Sequence, residues 1–134
     1  MRLRHVIART ARRLRQEAAS ELSPSQSAAL ATIDRHGPLT PSELALRERI
    51  KRPTATRVIA WLEASRLVDR TPDPHDGRSS LVTLTPAGRE LLARARTRKD
   101  AYLARRLREL SPEERATLDR AAAILERVLE GEGA

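Results

Sequence analysis

The most restrictive feature of the sequence is a recurring helix-start segment in which serine or threonine is followed directly by proline. The hydroxyl group caps the first helical turn, and proline fits that turn because its missing amide hydrogen would have no partner there. Three of the segments also carry glutamine or glutamate three residues after the hydroxyl, which completes a capping box. We therefore predict helix starts at SPSQ (23–26), TPSE (40–43), TPAG (85–88) and SPEE (111–114), with a further helix from Pro53.

One segment does not fit a helical chain. DPHDGRSS at 73–80 combines proline, aspartate and glycine, which predicts a tight turn. LVDRT at 67–71 and LVTLT at 81–85 flank this turn and have the composition of short strands. The predicted fold is therefore mostly α-helical with one small β-hairpin, an α+β class.

The helix predicted after Pro53 has two different faces. One face is apolar at helical spacing and is predicted to pack in the core. The other is small or polar, which suits a surface that lies flush against another molecule. The inward set is Ala55, Val58, Ile59 and Leu62, and the outward set is Pro53, Arg57, Ala60 and Ala64.

Charge and topology together favour a nucleic-acid partner. The 134-residue chain has 26 basic and 18 acidic residues and a net charge of +8, and every basic residue except Lys51 and Lys99 is arginine. Arginine binds phosphate through paired hydrogen bonds, although a high net charge is also found on surfaces that only promote solubility. A short helix joined to a second helix by a tight turn places the second in the DNA major groove, and the hairpin then resembles a wing that reaches the minor groove.

The helices at the two ends of the chain carry apolar stripes that a small domain cannot bury alone. We expect these stripes to pack against each other or against a second subunit. The residues are Leu3, Ile7, Thr10, Leu14 and Ala18 in the first helix; Leu92, Ala95, Tyr102, Leu103, Leu107 and Leu110 in the long helix; and Leu118, Ala121, Ala122, Leu125, Val128 and Leu129 in the last.

Several functional classes are not supported by the sequence. The chain has no cysteine for a disulfide or thiolate site, and His5, His36 and His75 do not share a helix at metal-ligand spacing. No catalytic grouping of serine, histidine and acid is present, so we expect neither an enzyme nor a cofactor. The sequence also lacks a bilayer-spanning apolar run and a signal peptide, and we expect a cytoplasmic protein.

Residues 39–92 resemble the MarR family of bacterial winged-helix regulators. The resemblance rests on Thr56-Arg57, LVDR at 67–70, DGR at 76–78 and VTLTPAG at 82–88. It implies a winged helix-turn-helix DNA-binding domain at 23–88, an N-terminal dimerisation helix at 1–22 and C-terminal dimerisation helices at 89–134.

The same resemblance implies a function. Members of the family are commonly homodimeric repressors that bind double-stranded DNA at a pseudo-palindromic operator. They release the DNA when a small anionic or phenolic effector binds. The competing interpretations are a sequence-independent architectural DNA-binding protein and a winged-helix module for protein interaction.

Individual residues can be assigned expected roles in DNA binding. Arg57 lies on the outward face and is predicted to contact a base or a phosphate. Thr54 and Thr56 have two open interpretations, a DNA contact or a local bond at the helix start. Ser42 can donate to a phosphate or can simply fit the first turn of its helix.

Arg78, at the tip of the hairpin, is predicted to enter the minor groove. We expect the Asp76 carboxylate to orient its guanidinium group and Arg70 to pair with the same carboxylate. The predicted DNA-binding set is Ser42, Arg52, Pro53, Thr54, Thr56, Arg57, Arg78 and Ser79, with Asp76 and Arg70 orienting the wing.

Two positions depart from the family pattern. Arg66 stands where glycine is common after the second helix, and we expect it to keep helical dihedral angles and so change the entry angle of the hairpin. Arg52 stands at the expected capping position before Pro53, which favours a phosphate contact as its role.

Overall fold

The computed structural model describes residues 1–18 and 22–131, which form two compact units, Met1–Lys99 and Asp100–Ala134. The predicted fold class is confirmed, since six helices and one antiparallel hairpin follow one another along the described residues. The predicted division at residues 22 and 88 stays a prediction, and residues 19–21 of its first segment and 132–134 of its last lie outside the described residues. The elements are α1 (Arg2–Ala18), α2 (Pro24–His36), α3 (Pro41–Glu48), α4 (Arg52–Ala64), β1 (Val68–Pro72), β2 (Ser80–Leu84), α5 (Pro86–Leu107) and α6 (Pro112–Glu130).

The predicted capping segments begin their helices, but the capping box predicted at Thr40 is only half formed. The Glu43 amide donates to the Thr40 hydroxyl at 3.1 Å, and among the described residues the Glu43 side chain makes no return bond. At α2 the Gln26 amide donates to the Ser23 hydroxyl at 3.2 Å, and the Ser23 amide donates to the Gln26 side chain at 2.9 Å. The same reciprocal pair joins Ser111 and Glu114 at α6, with distances of 3.0 and 3.1 Å. Hydrogen bonding by the Ser111 backbone, and then by its side chain, lowers the pKa of the Glu114 carboxyl below its usual value of 4.5.

The core of the first unit lies between α2, α3, α4 and the hairpin. Strands β1 and β2 pair antiparallel, with Arg70 opposite Val82. Leu39 extends this sheet, because its amide and carbonyl exchange hydrogen bonds with Val82 at 3.2 and 2.7 Å. The side chains that are almost wholly removed from solvent are Leu30, Leu44, Ile59, Leu62, Val68 and Val82. This core fixes the orientation of α4 relative to the hairpin.

The start of α5 docks closely on the start of β1. The Thr85 amide donates to the Leu67 carbonyl at 3.0 Å, and the Thr85 hydroxyl donates to the Arg66 carbonyl at 2.7 Å. Gly88 leaves room for this contact, since a Cβ atom there would lie 2.2 Å from the Leu67 carbonyl oxygen. The base of the hairpin is therefore held from two sides, by α4 and by α5.

The expectation that Arg66 keeps helical dihedral angles is wrong. Arg66 is left-handed, with φ 60°, and takes the place that glycine usually fills after a helix. Its amide donates to the Glu63 carbonyl and the Leu67 amide donates to the Leu62 carbonyl, each at 2.9 Å. These bonds form a Schellman motif that offsets the roughly 1–2 kcal/mol cost of a left-handed non-glycine residue.

Apolar side chains are exposed at both ends of the chain, in agreement with the predicted stripes. In α1 the exposed fractions of Leu3, Val6 and Ile7 are 57%, 49% and 43%. In the second unit, none of the 19 residues of α6 is buried. Its large exposed apolar residues are Leu118, Ile124, Leu125, Val128 and Leu129. Among the helices that the structure describes, none is both long and apolar enough to cross a membrane.

Candidate nucleic-acid interface

A tight turn at residues 49–51 joins α3 to α4. Arg49 is left-handed, with φ 54°, and ends α3. Its amide donates to the Leu46 carbonyl at 3.3 Å, and the Ile50 amide donates to the Ala45 carbonyl at 3.0 Å. This turn and the two helices form a helix-turn-helix unit in which α4 is the second helix.

The two faces of α4 lie as the sequence predicts. Ala55, Ile59 and Leu62 have no exposed surface, and Val58 packs against the same core. On the opposite face Pro53, Arg57, Ala60 and Ala64 are exposed, and so is Thr56. The centre of the exposed face is small or polar around Arg57, so another surface can approach its backbone closely. Trp61, which is 40% exposed, lies at the edge of this face.

The polar residues of this face make local contacts in the free protein. The Arg57 guanidinium donates to the Thr54 hydroxyl at 3.4 Å, which is a long hydrogen bond that a stronger acceptor such as phosphate can replace. This bond to Arg57 is not a helix-start bond, so both interpretations of Thr54 stay open. Ser42 is exposed in the first turn of α3.

The expectation that Arg52 occupies the capping position of α4 is wrong. Lys51 is the capping residue and makes no side-chain capping bond, while Arg52 is the first helical residue and Pro53 the second. Both basic side chains are exposed. The start of α4 therefore has backbone amides without a side-chain cap, at the positive end of the helix dipole. Together with the positive charges of Lys51 and Arg52, these amides attract phosphate.

Sequence reasoning missed part of the basic surface around the turn. Arg47, Arg49 and Lys51 are exposed beside Arg52, in the segment RERIKR at 47–52. The signal was present in the sequence, since this basic run falls on the predicted turn between the two helices. Together with Arg57, these residues place several positive charges at the turn and at the start of α4, interrupted by Glu48.

The tip of the hairpin is built from aspartate side chains that accept backbone amides. The Asp73 carboxylate accepts the His75 amide at 2.9 Å, and the Asp76 carboxylate accepts the Arg78 amide at 3.0 Å. The Asp73 amide also donates to the Ser79 carbonyl at 3.1 Å. Arg78 is exposed at this tip and Ser79 is half-buried. The expectation that the Asp76 carboxylate orients the Arg78 guanidinium is wrong, since the carboxylate accepts the Arg78 backbone amide instead. Asp76 therefore orders the backbone of Arg78 in the free protein.

The expected pairing of Arg70 with Asp76 is wrong. Arg70 Nε lies 3.3 Å from Oε2 of Glu63, in the last turn of α4. Glu63 was not anticipated, because its distance from Arg70 depends on the left-handed turn at Arg66. The hairpin is thus linked to the second helix by a charged pair beyond its base.

A cavity of about 150 Å³ lies between α1, α2 and α5 within the first unit. Next to it, Arg96 pairs with Asp34 of α2 at 3.0 Å, and the Arg98 guanidinium donates to the Ala18 carbonyl of α1 at 2.7 Å. The aliphatic lining is Ala18, Leu22, Ala31, Leu91, Leu92 and Ala95, and the basic lining is Arg15, Arg96 and Lys99. This composition suits a small molecule with an apolar body and a negative group.

A helix-turn-helix whose second helix presents an exposed arginine, followed by a hairpin, defines the winged-helix class of DNA-binding proteins. The sequence profile of the MarR family matches residues 20–79. An HTH-type transcriptional regulator of Mycobacterium bovis is 42% identical over 120 residues, which cover 89% of this chain and 84% of the relative. The chain therefore belongs to the MarR family of transcriptional regulators.

Two further similarities support this assignment. The structure of a MarR family protein from Bacillus stearothermophilus has a TM-score of 0.83 at 25% identity, covering 96% of this chain and 90% of that one. The HTH-type transcriptional repressor NicR of Pseudomonas putida is 33% identical over 93 residues, which cover 68% of this chain and 54% of NicR. The predicted family and fold are confirmed, while the individual DNA-contacting residues stay predictions.

Proposed function

We propose that this chain is a homodimeric, cytoplasmic repressor that binds a pseudo-palindromic operator and leaves it when a small anionic effector binds. The observation that carries the proposal is the exposed face of α4. The centre of this face is small or polar and presents Arg57, Trp61 is exposed at its edge, and a hairpin with Arg78 at its tip borders it. The second helix would read base edges in the major groove, and the tip would enter the neighbouring minor groove.

The phosphate contacts would come from the residues around the start of each helix. Ser42 in the first turn of α3 and Arg52, Thr54 and Thr56 at the start of α4 are predicted to meet the backbone, with Pro53 allowing a close approach. Helix starts and arginine side chains are the groups that most often hold phosphate. Ser79 would make a similar contact beside Arg78.

The exposed apolar residues of α1 and α6 support a dimer. Exposed fractions of 57% for Leu3 and 68% for Leu129 are unfavourable for a chain that stays alone in water. In a two-fold symmetric dimer, the two copies of α4 would enter successive major grooves, with half-sites about 10 bp apart. Repression follows if that site overlaps a promoter, and the name of the relative NicR supports this direction of control.

The cavity beside Arg96 is the proposed effector site. Arg15, Arg96 and Lys99 supply positive charge, and the aliphatic floor has no aromatic ring for stacking. An effector carboxylate would compete with Asp34 for Arg96 and so alter the link between α5 and α2. That link is the route by which the effector would change DNA affinity.

The proposal is tested by titrating purified protein into a selected operator and into a scrambled duplex over a range of salt concentrations. We expect a dimer by sedimentation and an operator affinity at least about 10³ times the non-specific one. The logarithm of affinity should fall with the logarithm of salt by about 0.9 per phosphate contact. Equal affinities for both duplexes would instead support the architectural alternative, and a flat salt dependence would support a protein-interaction module.

A further inference from the structure

One charged pair connects the second helix of the DNA-binding unit to the wing at a point beyond the rigid base of the hairpin. Glu63 lies in the last turn of α4, Arg70 lies at the middle of β1, and the Nε–Oε2 distance is 3.3 Å. The side chains are 45% and 29% exposed, and the Arg70 Nε atom itself is closed off from solvent. Among the described residues, Nε has no aligned hydrogen-bond acceptor, so this contact is an ion pair by distance.

Apart from its pairing with Arg70, the position of Glu63 is unfavourable for a negative charge. A carboxylate in the last turn of a helix lies at the negative end of the helix dipole. On a surface that approaches DNA, it also repels phosphate. Its pairing with Arg70 offsets both effects, because the two charges neutralise each other between α4 and β1. A residue that breaks local rules in this way is expected to have a compensating role.

The position of the pair along the hairpin suggests what that role is. The base is held by the Leu67 amide on the Leu62 carbonyl and by Thr85. From Val68, the first residue of β1, to Pro72, the last, the strand extends about 13 Å, so a tilt of about 10° at the base moves Pro72 by about 2 Å. Hydrogen bonds to DNA tolerate only about 0.5 Å. Arg70, midway along the strand, is where an ion pair to α4 opposes such a tilt.

We infer that Glu63 and Arg70 are positioning residues that set the angle between α4 and the wing. They thereby determine how strongly the protein prefers a narrow, A·T-rich minor groove beside each half-site. The inference rests on the proposed function, since it requires that α4 and the wing contact the same operator.

The test compares Glu63→Gln, Arg70→Gln and the exchanged pair Glu63→Arg with Arg70→Glu. Each protein is titrated into two operators that differ only in having A·T or G·C pairs beside the half-sites. Glu90→Gln is the matched control, because it removes the same charge from the exposed Glu90–Arg94 pair of α5, with its 3.9 Å separation. Melting curves identify any variant that does not fold.

We expect each single variant to lower the ratio of the two affinities by about threefold per half-site, or about tenfold for a dimer. The exchanged pair should restore most of the ratio, and Glu90→Gln should leave it unchanged. If Arg70→Gln does not fold, Glu63→Gln decides alone, since the Glu63 side chain is 45% exposed and the more accessible of the two.

Three results would overturn the inference while leaving the proposed function intact. The first is an equal loss of affinity for both operators in the single variants, and the second is an exchanged pair that folds but does not restore the ratio. The third is a wild-type protein that recognises the operator without any preference for its flanks, in which case the proposed function would stand. A wild-type protein that does not distinguish the operator from a scrambled duplex would refute the proposed function and this inference together.

Discussion

The hydrogen bond between the Asp76 carboxylate and the Arg78 amide allows two effects on DNA affinity to be separated, that of a rigid wing tip and that of the charge of Asp76. The two atoms are 3.0 Å apart, and both residues are exposed. Asp76→Ala removes the acceptor, whereas Asp76→Asn keeps an oxygen atom at the same position. Each variant removes one negative charge, so a difference between them reports the hydrogen bond alone.

The expected difference follows from ordinary magnitudes. A hydrogen bond of this kind contributes about 1 kcal/mol, which corresponds to about fivefold in affinity for each wing and about 25-fold for a dimer with two wings. Loss of the carboxylate favours DNA binding by only about 0.5 kcal/mol if a phosphate lies about 8 Å away in water. That gain is common to both variants and cancels in the comparison.

The assay is a titration of both variants into one operator at moderate salt, with melting curves to confirm folding. We expect Asp76→Ala to bind about 25 times more weakly than Asp76→Asn. When Arg78 is replaced by alanine, the affinities of the two Asp76 variants should become equal. The backbone bond is kept, but the Arg78 side chain that it positions is gone. Equal affinities of the two variants, both folded, would refute the view that Asp76 orders the tip for DNA binding.

Three other perturbations have defined outcomes. Arg57→Ala should leave the melting temperature unchanged and weaken operator binding by about 1–3 kcal/mol per half-site, measured by titration; unchanged affinity would remove Arg57 from the interface. Gly88→Ala should lower the free energy of unfolding by about 1–3 kcal/mol in chemical denaturation, because its Cβ would lie 2.2 Å from a backbone carbonyl oxygen. Gly77→Ala, which meets nothing within 4 Å, is the control. Hydrogen bonds from the Ser111 backbone, and then from its side chain, lower the pKa of the Glu114 carboxyl in the folded protein. These bonds therefore stabilise the folded protein above the usual pKa of 4.5, and the stabilisation is lost as the pH falls through the lowered pKa. An NMR titration should therefore give a midpoint below 4.5, and a higher midpoint would contradict the capping argument.

The features that could be predicted from the sequence are those that depend on neighbouring residues. The hydroxyl of Ser23 and the side chain of Gln26 complete a capping box within one turn, so four consecutive residues are enough to predict the start of α2. The buried and exposed faces of α4 follow from helical spacing, and the core leaves Ile59 no exposed surface. DPHDGRSS predicts a tight turn through its own composition.

The features that could not be predicted depend on contacts across the fold. Arg66 is left-handed because bonds from Thr85 and from the end of α4 outweigh its intrinsic cost. The Glu63–Arg70 pair depends on that turn. The sequence alone predicts a pair between Arg70 and Asp76 instead. Sequence reasoning placed charges of opposite sign near the wing, but their pairing was decided by backbone geometry that it could not supply.

The central claim is that two copies of α4, held by one dimer, read a two-fold symmetric site on double-stranded DNA. It is tested most directly by selecting bound duplexes from a random pool with the purified protein and sequencing the survivors. We predict an inverted repeat whose half-sites lie about 10 bp apart, flanked by A·T-rich positions where the wing would enter the minor groove. A selected pool without a shared sequence, or with a single unrepeated half-site, would contradict the account.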